Sequence, residues 1–187
     1  HCSFLHKTAN HFKVPVLMHR KTFELAHEKN PVIWNSLLPL AQWVDEWDVI
    51  GSWKNKKLLI QHVPGHAAGQ IAITAEDGAF YIANDLFQSE GSVVIGGRGS
   101  SMSQYMETLV KVLKFKPAVL YPSHGIPVGS LNPLNKILKH RLQRHVEVAQ
   151  LQKKGLSVVE ITKRLYIGLP ENLFEYAVAN VESHLAW

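Results

Sequence analysis

Apolar positions along this chain recur with two different periods, and the changes of period mark its elements. Between residues 57 and 83 they gather in three short runs, 57–63, 70–75 and 79–83, bounded by Pro64-Gly65 and by Glu76-Asp77-Gly78. Short apolar runs closed by Gly, Pro and Asp read as strands, and Glu-Asp-Gly supplies hairpin chemistry, so an antiparallel meander is expected here. Upstream, Phe4, Leu5, Ala9 and Phe12 stand near helical spacing, 14–18 reads as a short buried strand, and 21–28 as another short helix. Downstream, 103–114 is helical by period, 118–121 is a brief buried strand, and a loop with Ser123-His124-Gly125-Ile126-Pro127 follows.

The last third is helical throughout. A long helix is expected over 133–153, stopped by Gly155 as a C-terminal cap. Ser157-Val-Val-Glu160 matches a capping box opening a short helix to about residue 166, and Pro170 suits the first turn of a final helix reaching Leu185. Residues 155–187 therefore read as a small module separate from 1–154. From Asn30 to Trp53 the pattern is irregular. Its tryptophans, Trp34, Trp43, Trp47 and Trp53, either line a groove or pack an insert onto the core, and packing is the commoner role.

Composition adds little to this picture but excludes some classes. With 46% apolar and 19% charged residues the 187-residue chain is globular rather than disordered. A net charge of +5 modestly favours anionic partners. One cysteine, Cys2, rules out an internal disulfide framework and leans toward a reducing compartment, so a cytoplasmic location is expected. No apolar run approaches the length of a membrane span. The chain opens on His1 rather than Met, so the true N-terminus, and any targeting segment with it, is expected to lie upstream.

With eleven histidines a lone one means little, and His6, His11, His19 and His27, on predicted helices or loops without a partner pattern, read as surface or structural residues. Three polar groups differ because each follows a predicted strand in a tight turn: His66 in Pro64-Gly-His, Asp85 in Asn84-Asp, and His124 in Pro122-Ser-His-Gly. Loops at strand ends aim side chains into one cleft, and imidazole with carboxylate is a donor set for zinc. The ordinary alternatives are a turn aspartate and hydrogen-bonded histidines, and spacing does not choose between them.

The same three segments, in the same order, resemble a known family. Val63-Pro-Gly-His-Ala-Ala-Gly-Gln-Ile71 looks like the TPGHTxGH segment of the metallo-β-lactamase superfamily, Tyr81-Ile-Ala-Asn-Asp85 like its Gly-Asp step, and Tyr121-Pro-Ser-His-Gly125 like its PGHG segment. His1-Cys-Ser-Phe-Leu-His-Lys7 resembles the continuation of the family's first motif, HxHxDH, with His1 as the motif's last histidine. The resemblance implies an α+β fold, the αββα sandwich of two mixed sheets, with zinc ligands His1, His66, Asp85 and His124 and with Asp85 bridging two zinc ions. Asn84 and Ser123 replace two glycines of the pattern, and Gln70 stands where many members place a second histidine. Asn84 tolerates left-handed backbone, so the turn that aims Asp85 is expected to form. The first ligands of HxHxDH are absent from this chain, so the parent protein is expected to hold two zinc ions and this piece an incomplete, inactive site with an exposed sheet edge and apolar surface.

The tail, Arg164-Leu-Tyr-Ile-Gly-Leu-Pro-Glu-Asn-Leu173 with Ala179-Asn-Val-Glu-Ser-His-Leu185, resembles the winged-helix-like C-terminal module of the lactamase-beta-like branch. That branch implies a hydrolase, in which metal-activated water attacks a small ester- or thioester-type substrate. Single-stranded RNA is the alternative substrate, favoured if Lys136, Lys139, Arg141, Arg144, Lys153, Lys154, Lys163 and Arg164 form one positive face. A non-catalytic remnant of the fold is the third reading. No membrane partner is expected, and catalysis is assigned to no side chain beyond the metal ligands.

Overall fold

The computed structural model describes residues 4–89 and 91–187. Its centre is a five-stranded sheet in the order β3-β4-β5-β6-β7, built from Val49–Trp53 (β3), Lys56–His62 (β4), Ile71–Ala75 (β5), Tyr81–Asn84 (β6) and Leu120–Pro122 (β7). The meander is there: β4, β5 and β6 pair antiparallel in sequence, with Ile60 opposite Ile73 and Ile73 opposite Ile82. β7 joins parallel to β6, placing Tyr121 beside Ile82. The smaller second sheet pairs Val16–Met18 (β1) parallel with Ala41–Trp43 (β2), so of the two sheets only the larger is mixed. The α+β, two-sheet fold expected for the chain is thus present.

Alternation along the strands decides which face is covered. Tyr81 and Leu120 point to one side and pack with Tyr105, Leu109 and Val112 of Met102–Phe115 (α4) and with Leu134 of Asn132–Lys153 (α5). The Tyr81 hydroxyl, otherwise costly to bury, donates to Gln61 Oε1 at 2.9 Å. On the opposite face Ile82 is 38% and Tyr121 42% exposed. An exposed apolar row therefore crosses the sheet where β6 meets β7.

A second cluster forms around Trp34, Leu37 and Met18 with Ala9 of Leu5–Phe12 (α1), beside Arg20–Lys29 (α2) and Pro31–Asn35 (α3). Of the four tryptophans in the irregular stretch only Trp34 is buried. Trp43, Trp47 and Trp53 are exposed, so the packing expectation holds for one of them. That stretch is also more regular than its pattern suggests. It contains α3, a short 3-10 turn, β2 and β3, and a two-residue turn joins β3 to β4 with Lys54 and Asn55 both left-handed (φ 48° and 62°). That conformation matches the twist of a hairpin, but Lys-Asn is a weak sequence signal for it.

The helical tail follows its sequence cues closely, with one correction. Gly155 N donates to the Gln152 carbonyl (2.9 Å) and Leu156 N to that of Leu151 (3.3 Å), a Schellman pattern with Gly155 at φ 82°. Ser157 and Glu160 form the reciprocal capping box of Val158–Leu165 (α6). Pro170, however, does not open the last helix: it precedes a 3-10 turn, Glu171–Leu173, and the final helix is Phe174–Leu185 (α7). Residues 155–187 thus carry two helices and a 3-10 turn and no strand to serve as a wing. Val148 and Leu151 of α5, Ile161 of α6 and Val181 of α7 make their shared core. Among the described residues no helix is long and apolar enough to cross a membrane.

Candidate metal centre

β4 and β6 both run antiparallel to β5, and β7 runs parallel to β6, so three strands point the same way. Their C-terminal ends open onto one edge of the sheet. His66 follows β4, Asp85 follows β6 directly, and His124 follows β7. Positions 19 and 39 residues apart in sequence are brought to one edge by strand direction alone.

Asp85 is aimed by the residue before it. Asn84 adopts the left-handed conformation (φ 51°), and its side-chain amide donates to the Ile71 carbonyl at 2.7 Å, locking the end of β6 to β5. Ser123 N donates to the Asn84 carbonyl at 3.1 Å, which holds the two turns side by side. Asp85 Oδ1 then lies 3.5 Å from His124 Nε2, with the carboxylate recessed (18% exposed) and the imidazole half exposed (48%). Two donors bound to one tetrahedral zinc at about 2.0–2.1 Å stand about 3.3–3.4 Å apart. The observed pair fits that requirement without rearrangement.

His66 sits in a turn pressed onto α4. Gly65 (φ 136°) lies so close that a Cβ there would stand 2.4 Å from Tyr105 Cα, so neither the space nor the backbone admits a side chain. The Pro64 carbonyl accepts from Thr108 Oγ1 and the Gly65 carbonyl from Ser101 N, both at 2.8 Å. His66 Nδ1 is 2.8 Å from the Val94 carbonyl. A carbonyl only accepts, so Nδ1 carries the proton and the neutral ring keeps its lone pair on Nε2, the form a metal requires.

Asp85 and His124 are therefore brought into contact, while His66 shares their edge without entering their cluster. Among the described residues no three His, Cys, Asp or Glu side chains gather closely enough to hold a metal. His1 lies outside the described residues. The donor types, the Asp85 to His124 spacing and the His66 tautomer all fit a zinc- or iron-type ion.

Two further histidines stand at strand ends: His19, read from the sequence as surface or structural, and His62, which the sequence reading did not single out. His19 and His62 stack face to face, centroids 4.2 Å apart and planes within 5°. His19 is structural: it caps α2 by accepting from Lys21 N at 3.1 Å, and burial, then the neighbouring His62, lower its pKa. His62 Nε2 faces the Ala68 carbonyl at 2.7 Å, inside the loop that carries His66. His62 lies inside the strand expected over 57–63 and His19 in no Gly- or Pro-containing turn, so the rule that singled out His66 does not reach them.

Comparison with known proteins places the chain in a family. A family model described as the metallo-beta-lactamase superfamily matches residues 1–124. The Beta-lactamase-like protein 2 homolog of Drosophila melanogaster is 29% identical over 134 residues, covering 68% of this chain and 44% of that protein. A metallo-beta-lactamase family protein from Thermus thermophilus superposes with a TM-score of 0.72 at 16% identity, over 91% of this chain and 65% of that one. TTHA1623, solved in a di-iron-bound form, superposes with a TM-score of 0.55 at 19% identity, over 75% of this chain and 69% of that one. This chain thus spans less than half the length of the Drosophila relative it matches.

Proposed function

The chain belongs to the metallo-beta-lactamase superfamily, and from that premise we propose that it forms part of a zinc-dependent hydrolase acting on an ester- or thioester-type substrate. The observation that carries the proposal is the Asp85 to His124 pair, 3.5 Å apart, on the sheet edge that also bears His66. In this reading Asp85 and His124 hold a metal from the β6 and β7 ends, the Nε2 of His66 offers a further donor from the β4 end, His1 is a fourth ligand, and the remaining ligands come from the parent protein's HxHxDH motif. A bound divalent metal supplies activated water and polarises the oxygen of the bond to be cleaved. The residues of this chain orient that chemistry. Asn84 aims the carboxylate, and Val94 holds the His66 ring in its donor tautomer.

The small acyl substrate is preferred over RNA because the basic face loses two members. Arg141 is buried, and Arg144 donates to the Leu165 carbonyl while lying over the Tyr166 ring. Lys136, by contrast, stays exposed and lines a cleft with Ser92 and Val93. The di-iron form of TTHA1623 makes iron the natural competitor to zinc in the same donor set.

The test is metal content by mass spectrometry, with hydrolysis of a generic thioester and of single-stranded RNA, on the product of the whole gene. Zinc uptake with thioester cleavage, both lost in Asp85→Ala and His124→Ala, is the expected result. Cleavage of RNA alone, falling steeply with salt, would move the assignment to a ribonuclease. No metal and no cleavage of either substrate would leave the non-catalytic remnant.

A further inference from the structure

We infer that Asn180 and Arg141, on the C-terminal helices, are positioning residues for His66, acting through the backbone of residues 93–95. This rests on the reading of His66 as a metal donor.

The segment is held by groups on alternate sides. Asn180 Oδ1 accepts from Ile95 N at 3.0 Å and from Arg141 Nη1 at 3.2 Å, and Arg141 Nη2 donates to the Val93 carbonyl. Between these two anchored residues, the Val94 carbonyl faces the other way and receives His66 Nδ1. Gly96 completes the clamp. A Cβ there would fall 2.6 Å from the backbone and side chain of Ala179, so the segment lies flush on α7.

Both anchors are costly to bury unless their bonds are made. Arg141 is 3% exposed and Asn180 8%. An unmatched guanidinium at that depth is strongly unfavourable, so the Arg141, Asn180 and Val93 to Ile95 bonds hold or fail together. The ring orientation of a metal-binding histidine is set by the acceptor on its other nitrogen, and that acceptor is fixed here by α5 and α7. The helical tail thereby reaches the site, although it supplies no donor to it.

The roles can be separated by their atoms. Asn180 serves through its oxygen alone, so Asn180→Asp keeps the acceptor while Asn180→Leu removes it. Val181, its neighbour, is buried in the α5, α6 and α7 core with Val148, Leu151 and Ile161, so Val181→Ala reports general loosening of the tail.

The experiment is imidazole ¹H–¹⁵N correlation of the metal-free product of the whole gene, with zinc titration alongside. Wild type should show a slowly exchanging Nδ1–H and an unprotonated Nε2 at His66. In Asn180→Leu that signal should exchange rapidly or mix tautomers, and zinc affinity should fall about 10-fold or more, the usual effect of losing an outer partner. Asn180→Asp should restore both, and Val181→Ala should leave the His66 signal unchanged despite a lower melting temperature. A His66 signal unaltered in Asn180→Leu would overturn the relay. Wild-type protein that binds no zinc would instead overturn the metal reading, whatever the relay does.

Discussion

The two histidine turns of the candidate centre are built in opposite ways. The His66 turn is clamped by α4 at Pro64 and Gly65 and by the 93–95 segment at the ring itself. The His124 turn leans on Ser89: Ser89 N donates to the His124 carbonyl at 3.3 Å, and Ser89 Oγ accepts from Ile126 N at 3.0 Å. One turn is held by helix α4 and the 93–95 segment, the other by the Ser89 loop and, through Ser123 N, by the end of β6. Such an arrangement fixes the His66 ring through its own nitrogen and the His124 turn through its backbone.

The comparison breaks most sharply at Gly65. Gly65→Ala meets the Tyr105 backbone, which has no means of yielding, at a φ that disfavours any side chain. Destabilisation above about 3 kcal/mol is expected by denaturant titration. An unchanged midpoint would mean the His66 turn is not pressed on α4.

Acid should loosen the His66 side next. His184 on α7 is 1% exposed with both ring nitrogens unpartnered, near Arg141, Arg144, His145 and His140. Burial first, then the neighbouring Arg141, His145, Arg144 and His140, lower its pKa to about 3. A histidine with a depressed folded pKa contributes its full stability above its ordinary value of 6.5 and loses it as pH falls toward 3. The expected slope is about 1.4 kcal/mol per pH unit below that value, or about 2 kcal/mol lost by pH 5. In His184→Leu that part of the slope should vanish in melting curves taken across pH, with the change seen first in probes on α7.

At the other turn, Gly125→Ala should be milder than Gly65→Ala. The obstacle is the Ser89 side chain, whose hydroxyl can rotate, although φ is 97° and Ser89 Cβ stands 2.8 Å from the added carbon. A loss of about 1–2 kcal/mol is expected, with weaker zinc binding but an intact His66 imidazole signal. Parity with Gly65→Ala would erase the contrast between the turns. The smallest effect belongs to Tyr105→Phe, which removes one bond from the hydroxyl to the Leu86 carbonyl, 2.8 Å long, beneath Asp85. It should cost about 1 kcal/mol or slightly more, because the carbonyl stays buried.

Much of this was visible in the chain before folding. The 57–83 meander, the capping box at Ser157 and the stop at Gly155 follow from turn chemistry and side-chain period, which act over a few residues. So did the three strand-end positions. The β3 to β4 hairpin was not visible, because its Lys54-Asn55 turn is stabilised by strand pairing rather than by residue preference. Pro170 was misplaced for a related reason: proline suits the residue before a 3-10 turn as well as the first turn of a helix.

The cations on α5 show the same limit from the other side. Arg141 and Lys139 look alike in a helical pattern, yet one is buried against Asn180 and the other is solvated. Local order was therefore written in the residues themselves: the strands, the caps, and the identity of His66, Asp85 and His124 as strand-end groups. Their meeting was not. Strand direction across the sheet carries the three to one edge, and contacts 28 and 85 residues apart, from His66 to Val94 and from Ile95 to Asn180, set the ring that faces it. Such contacts depend on which surfaces pack together, a property of the whole chain and of no single stretch within it.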